Sequence, residues 1–183
     1  CGLPYHVGEV IPEEADLLLQ TPTSLKNRFN LDVRVNSRVT KLHPAAKTVS
    51  VKNLATGEEY EESYDSLVLS TGAKPRMLEI PGIERAHVLR DVPDAIRIKE
   101  LVDQKKIKSA AIIGAGFIGI ELAENLNHRG IATTVIGLRD TILSQFDPEM
   151  IEPMQALAQF NQALVEVAFG QLGQLLDDQA AGE

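Results

Sequence analysis

The sequence has almost no cysteine, no tryptophan and no long apolar segment. Cys1 is the single cysteine among 183 residues, so no internal disulfide can form. No apolar run approaches the roughly 18 residues that a membrane-spanning helix needs. No secretory signal pattern is visible either. Together these absences predict a reduced, soluble, cytoplasmic protein without a membrane partner.

Basic residues are also scarce. The chain has 18 Lys and Arg against 26 Asp and Glu, a net charge of −8, and no basic stripe that could neutralise phosphates. Nucleic acid is therefore excluded as an expected partner, and no metal-binding pattern of ligands is visible. Residues 151–183 contain no Lys or Arg at all, which predicts a boundary near position 150.

The first half of the chain has the period of a β-sheet. A loop and a short helix come first, with Thr23 as the predicted N-cap of that helix. Residues 31–70 then alternate apolar and polar side chains between turn signals. This pattern predicts a strand, a three-stranded meander and a final apolar strand over Asp65–Ser70.

The second half changes to the pattern of a βαβ unit. Helical spacing covers residues 91–106, and a strand is predicted at Ser109–Ile113. A glycine turn, a helix over about 116–128 and a strand at Ala132–Ile136 follow. Parallel strands joined in this way imply a sheet that is covered on both faces.

The end of the sequence is less regular. Asp147 and Pro148 form the pair expected at an N-cap and the first helical position. Residues 151–183 show helical periodicity and no clear strand. They are predicted to form an acidic helical tail.

The glycine turn carries the chemistry. Gly114, Gly116 and Gly119 have the G-x-G-x-x-G spacing, after an apolar strand and at the start of a helix. In a dinucleotide-binding turn the first glycine permits the turn, the second admits the pyrophosphate and the third permits close helix packing. The helix N-terminus, which includes Ile118, offers amide groups to the phosphates. The alternative is a purely structural strand-turn-helix.

The preferred nicotinamide cofactor stays open. An acidic residue about 20 positions after the first glycine would bind the ribose hydroxyl of NAD, but Gly137 stands at the end of the second strand. Arg139 follows two positions later, where it could meet the 2′-phosphate of NADP or simply be solvated. The sequence favours NADPH slightly.

Three motifs, in order, are "CGLPYHVG", "YDSLVLSTGAKP" and "IIGAGFIGIELAENL". With them the chain resembles the pyridine nucleotide-disulfide oxidoreductases, and within these the single-cysteine branch of coenzyme A-disulfide reductases and NADH oxidases, since residues 2–8 hold no second cysteine. The resemblance implies FAD and NAD(P)H as cofactors. It also implies an α/β fold, a partial FAD/NAD(P)-binding Rossmann-like fold with a parallel sheet, helices and a β-meander.

The same resemblance implies a domain arrangement. Residues 1–82 would be part of an FAD-binding domain, and residues 83–150 part of the NAD(P)-binding domain inserted into it. Residues 151–183 depart from the family pattern and are expected to be an atypical helical, acidic tail. The family's upstream FAD-binding βαβ unit, its later acidic FAD motif and its C-terminal dimerisation domain have no counterpart in the sequence. The chain is thus expected to be an internal fragment of a homodimeric protein.

The resemblance also implies residue roles. Cys1 matches the redox cysteine that lies over the flavin. Thr71 and Gly72 match a strand end beside FAD, Phe117 an aromatic gate over the nicotinamide, and Glu121 a carboxylate near both rings. A lone thiol suffices for disulfide exchange when a small molecule supplies the second sulfur. His6 could assist the thiolate, or it could be structural.

The implied activity is that of an FAD-dependent NAD(P)H:disulfide oxidoreductase, most like a coenzyme A-disulfide reductase acting through a mixed disulfide on Cys1. One alternative is an NADH oxidase or peroxidase that uses a Cys1 sulfenic acid. A second is a non-catalytic NAD(P)-binding fragment. A third, a hydrolase with Cys1 as N-terminal nucleophile, is disfavoured because such enzymes have no use for a parallel βαβ phosphate site.

Overall fold

The computed structural model describes residues 2–137 and 141–153, together with the backbone of residues 165–169. The chain divides into two compact units. Unit 1 comprises Cys1–Leu17 and Pro75–Glu183, and unit 2 comprises Leu18–Lys74. The boundaries of these two packing units differ from the predicted domain boundaries at residues 82 and 150. Those boundaries belong to the nucleotide-binding domains of the family and stay a prediction.

Unit 2 contains the predicted meander. Strands β1 (Ser37–His43), β2 (Thr48–Asn53) and β3 (Glu59–Ser63) pair antiparallel in the order β1-β2-β3. Val51 lies opposite Val39 on one side and Tyr60 on the other. The prediction of a three-stranded meander is confirmed.

The helix of unit 2, α2 (Pro22–Phe29), begins two residues earlier than a Thr23 cap would require. Thr21 is the N-cap: its hydroxyl accepts from the Ser24 amide at 3.1 Å, and the Ser24 hydroxyl accepts from the Thr21 amide at 2.9 Å. Pro22 lacks an N–H and its fixed φ suits the first helical position, so the cap must precede it. The predicted cap at Thr23 was wrong for this reason.

The predicted strand at Asp65–Ser70 was also wrong. Residues 65–70 have no strand conformation, and no strand among the described residues pairs with them. Val68 is 84% exposed and Leu69 is 63% exposed. An apolar sequence predicts a strand only where a neighbouring strand supplies the hydrogen bonds of the ladder.

Unit 1 contains the predicted βαβ unit. Strands β4 (Ser109–Ile113) and β5 (Ala132–Gly137) pair in parallel, joined by helix α4 (Phe117–His128). A further strand, β6 (Val165–Phe169), pairs in parallel with the other edge of β5. This strand corrects the expectation that residues 151–183 are helical. A five-residue strand in a glutamine-rich context is too short for its period to be distinguished from that of a helix.

Unit 1 contains two further helices. Helix α1 (Leu3–Val7) packs on helix α3 (Val92–Asp103) and on α4. Asp91 caps α3 through a capping box with Asp94. The shared core is aliphatic and consists of Val7, Ala95, Val102, Leu122, Leu126 and Ile131. Each of the Val, Leu and Ile side chains, fully buried, contributes about 1.5–3 kcal/mol, so this cluster stabilises the packing of α1 on α3 and α4.

Helix α5, described over 148–153, begins at the predicted Asp147-Pro148 pair. The Asp147 carbonyl accepts from the amides of Met150 and Ile151 at 2.9 and 3.3 Å. Within the described residues, no helix is long and apolar enough to cross a membrane. Over the same residues, no group of three or more His, Cys, Asp or Glu is placed to hold a metal ion.

Candidate dinucleotide site

The glycine turn lies at the carboxyl end of the parallel sheet, directly after β4. The Gly114 amide donates to the Ile136 carbonyl at 2.9 Å, which fixes the turn beside the end of β5. Gly114 has a φ of +118°, a conformation that side chains rarely permit. The fold of the chain itself therefore requires a glycine at this position.

Gly119 is required for a different reason. A Cβ at this position would lie 1.9 Å from the Gly114 carbonyl oxygen, where no atom fits. The absence of a side chain lets the first turn of α4 approach the turn that precedes it. Close packing accounts for this glycine without any ligand.

Gly116 is not required by the fold. Its φ of −86° and ψ of −173° are extended values that any residue adopts. A Cβ there would have no heavy atom within 4 Å. The space in front of Gly116 is open. In dinucleotide-binding turns of this spacing, the pyrophosphate approaches the backbone at the second glycine.

Amide donors face the start of α4. Gly116 is its N-cap, and the first intrahelical bond runs from the Ile120 amide to the Gly116 carbonyl at 3.0 Å. The amides of residues 117–119 have no intrahelical acceptor, as in the first turn of any helix. A phosphate in the space before Gly116 would receive these donors and the positive end of the helix dipole.

The side chains at the start of α4 are accessible. Phe117 is 52% exposed and Ile118 is 57% exposed. Glu121 is half-buried one turn further on, whereas Glu124 is exposed. The structure thus keeps the predicted Phe117, Ile118 and Glu121 on the helix that opens at the turn, and their contacts with a cofactor stay a prediction.

Sequence reasoning missed a second aromatic residue here. The ring of Phe146 meets the ring of Phe117 edge to face, with centroids 5.5 Å apart and planes at 88°. Phe146 belongs to the loop between β5 and α5. Its only signal in the sequence is the apolar pair Ile142-Leu143 in a segment otherwise typical of a loop, and both of these side chains are buried.

The residue at the end of β5 supports neither cofactor over the other. Gly137 is buried and pairs with Phe169 in the backbone register of β5 and β6. It has no side chain that could bind a ribose hydroxyl. Arg139, the residue predicted to meet a 2′-phosphate, lies outside the described residues, so the preference for NADPH stays a prediction.

Cys1 also lies outside the described residues, but the helix that follows it is well defined. His6 is 4% exposed and its Nδ1 lies 2.7 Å from the Ile11 carbonyl oxygen. This contact favours the structural alternative for His6, because the ring is engaged with the loop that follows its own helix.

Four charged side chains join α1 to α3 and α4. Lys99 donates to Asp103 at 2.7 Å and to Glu9 at 3.1 Å. Arg129 donates to Asp103 at 2.7 Å and to the Val7 carbonyl at 3.0 Å. The Lys99 ammonium holds the pKa of the Asp103 carboxyl below its usual range, and the same hydrogen bond raises the pKa of Lys99. The end of α1 is thereby fixed to the helix that begins at the glycine turn.

Thr71 and Gly72, the predicted FAD contacts, belong to unit 2. Both are exposed, and Gly72 has a φ of +71°, which favours glycine. An exposed, irregular segment of this kind leaves the backbone accessible to a ligand. Their role toward FAD stays a prediction.

These features agree with the comparison to protein families. Residues 3–171 match the model of the pyridine nucleotide-disulphide oxidoreductases. The chain belongs to this family, whose members are oxidoreductases. The predicted family and the predicted partial Rossmann-like α/β fold are both confirmed.

Individual relatives are consistent with this assignment. The coenzyme A disulfide reductase of Staphylococcus aureus is 34% identical over 154 residues, which cover 84% of this chain and 35% of the relative. The crystal structure of reduced Bacillus anthracis CoADR-RHD has a TM-score of 0.85 and 45% identity, over 93% of this chain and 31% of that one. The water-forming NADH oxidase of Lactobacillus brevis, solved with NADH, has a TM-score of 0.81 and 29% identity, over 93% of this chain and 37% of that one. The chain therefore spans about a third of the length of these relatives.

Proposed function

We propose that this chain supplies the NAD(P)H-binding region and the redox cysteine of an FAD-dependent NAD(P)H:disulfide oxidoreductase that acts on coenzyme A disulfide. The observation that carries the nucleotide assignment is the open space at Gly116, the one glycine of the motif that the fold does not require. The relatives named as coenzyme A disulfide reductases support the choice of substrate.

The residues of the chain divide the work. Gly116 and the amides at the start of α4 bind the pyrophosphate, and the exposed Phe117 ring covers the nicotinamide end. Thr71 and Gly72 hold one edge of FAD. When bound, the two cofactors supply the hydride and the two-electron chemistry. Glu121, half-buried one turn into α4, places a carboxylate near this site.

Cys1 performs the exchange at sulfur. Two electrons and one proton convert a mixed disulfide between Cys1 and coenzyme A into a Cys1 thiolate and free coenzyme A. The thiolate then attacks a molecule of coenzyme A disulfide, which forms a new mixed disulfide and releases a second coenzyme A thiolate that takes up a proton. The balance is one NAD(P)H and one proton consumed for two thiols formed.

An oxidase is the second candidate, supported by the similarity to the Lactobacillus brevis NADH oxidase. In that case Cys1 would cycle through a sulfenic acid and no coenzyme A would be attached. Mass spectrometry of the oxidised full-length protein separates the two candidates. A thiol-releasable adduct with the mass of coenzyme A supports the disulfide reductase.

The nucleotide site is tested by Gly116→Val. A Cβ at Gly116 meets no heavy atom within 4 Å, so we expect an unchanged circular dichroism spectrum and loss of NAD(P)H binding in a titration of the 183-residue chain. Gly119→Val is the matched comparison: its Cβ collides with the Gly114 carbonyl, so we expect the helix to be destabilised together with binding. Unchanged affinity in Gly116→Val would contradict the assignment.

A further inference from the structure

The ring of Phe117 has one aromatic neighbour within the described residues. Phe117 is the first residue of α4, next to the open space at Gly116, and half of its surface is exposed. An exposed phenylalanine at a helix start moves among staggered rotamers. The edge-to-face contact with Phe146 favours the arrangement in which the two rings meet.

Backbone hydrogen bonds connect Phe146 to the glycine turn. Its amide donates to the Leu143 carbonyl at 3.0 Å, and the Leu143 amide donates to the Ala115 carbonyl at 2.8 Å. Ala115 is the residue between Gly114 and Gly116, so the loop is attached to the glycine turn itself. Ile142 is 1% exposed, and Phe146 is 45% exposed. The backbone beneath the Phe146 ring is thus fixed while the ring stays accessible.

The conformation of the loop is also unusual at one point. Leu143 has a φ of +47°, which an L residue with a branched side chain adopts only at a cost in free energy. Burial of Leu143 at 2% exposure, against Ala115, Ile120 and Ile151, offsets that cost. The packing therefore determines where the loop places Phe146.

We infer that Phe146 is a positioning residue for the nicotinamide end of the cofactor. It acts through Phe117, whose ring it orients beside the glycine turn. This inference rests on the proposed function, and it adds to it a residue outside every motif of the sequence. Phe146 lies too far along the chain to belong to the glycine turn, and its effect is limited to the part of the cofactor that Phe117 covers.

The magnitude follows from the population of the oriented ring. If only a fraction of the molecules has Phe117 in the rotamer that binds the nicotinamide, the apparent dissociation constant for NADH is the intrinsic constant divided by that fraction. Edge-to-face aromatic pairs change such populations about two- to tenfold. We therefore expect a two- to tenfold weaker affinity for NADH when the Phe146 ring is removed.

The experiment compares NADH with ADP-ribose, which has the pyrophosphate and adenosine but no nicotinamide. Both ligands are titrated by calorimetry into the full chain and into Phe146→Ala, Phe146→Leu and Phe146→Tyr. We expect Ala and Leu to weaken NADH binding two- to tenfold and to leave ADP-ribose binding within about 1.5-fold. Tyr keeps the ring and should restore NADH affinity. Phe29→Ala, which removes an exposed ring of α2, is the matched control and should change neither affinity.

The outcomes are distinct. NADH affinity that is unchanged in both Phe146→Ala and Phe146→Leu overturns the inference. So does an equal loss of NADH and ADP-ribose affinity, because Phe146 would then only maintain the turn. Wild-type chain that binds neither ligand overturns the proposed function instead, and a wild type that binds both while Phe146→Tyr and Phe146→Ala behave alike overturns the role of the ring.

Discussion

Asp103 is the centre of the charged network that joins α1 to α3 and α4, and Asp103→Asn tests its contribution to stability. The variant keeps the shape of the side chain and removes its charge. Asp103 accepts from Lys99 and from Arg129, each at 2.7 Å. The side chains of Lys99 and Arg129 are only 15% and 18% exposed, whereas that of Asp103 is 39% exposed.

The magnitude lies between two limits. A fully exposed ion pair contributes about 0.2–1 kcal/mol, and removing one partner of a buried pair costs about 3–5 kcal/mol. Solvent screens Asp103 on its open side, so the two pairs together stay well below the buried limit. We expect Asp103→Asn to lower the free energy of unfolding by about 1–2 kcal/mol at pH 7.

The shifted pKa of Asp103 determines how its contribution to stability changes with pH. The pKa of Asp103 is lower in the folded chain than its usual value, so its contribution is fully present above the unfolded pKa of about 3.9. The contribution is lost as the pH falls through the folded pKa. Lys99, whose pKa is raised above its usual value, stays charged throughout the acidic and neutral range. The difference between wild type and variant should therefore be constant from pH 6 to 8 and disappear at low pH.

The assay is urea unfolding followed by circular dichroism at several pH values, with Glu124→Gln as the matched control. Glu124 is an exposed carboxylate on α4 for which the described structure shows no ion pair, so its change should stay within about 0.5 kcal/mol. A loss in Asp103→Asn no larger than that control at pH 7 would refute the reasoning. A loss that is the same at pH 3 as at pH 7 would refute the assignment to charge.

Two further predictions concern the cofactor and the thiol. Gly137→Glu should shift preference from NADPH towards NADH, because a new carboxylate accepts from the ribose hydroxyl and repels a 2′-phosphate; a wild-type preference for NADH above tenfold, about 1.4 kcal/mol, would contradict the absence of an acidic ribose contact. In the full-length protein, Cys1→Ser should leave flavin reduction by NAD(P)H nearly intact and abolish disulfide reduction, because a hydroxyl forms no mixed disulfide; full disulfide reductase activity of the serine variant would disprove the role of Cys1.

Local pattern predicted β4 and β5 within one residue, because each is a short apolar, β-branched run that ends at a glycine or a charged segment. The same reasoning gave a strand at Asp65–Ser70 that the structure lacks, and it missed β6 at Val165–Phe169. A strand exists only as a member of a ladder, and the partner of a strand is not written in its own residues.

The candidate site could likewise be predicted only in part. The G-x-G-x-x-G spacing locates the turn, since its context of strand and helix is local in the sequence. The contact between Phe117 and Phe146 joins positions 29 residues apart, and it depends on how the loop after β5 settles on Ala115. A periodic pattern in the sequence does not relate positions this far apart, so the contact between the two rings is visible only in the folded chain.

The three glycines show why spacing alone could not decide between a structural turn and a binding site. Gly114 needs its backbone conformation and Gly119 needs its missing side chain, so both would be present in a turn that binds nothing. Gly116 has an ordinary conformation and open space in front of it. A turn that binds nothing would be at least as stable with Ser, Asn or Asp at this N-cap, because these residues cap a helix at least as well as glycine and glycine costs conformational entropy on folding. The nucleotide assignment therefore rests on Gly116, and a single substitution at that position distinguishes a structural turn from a binding site.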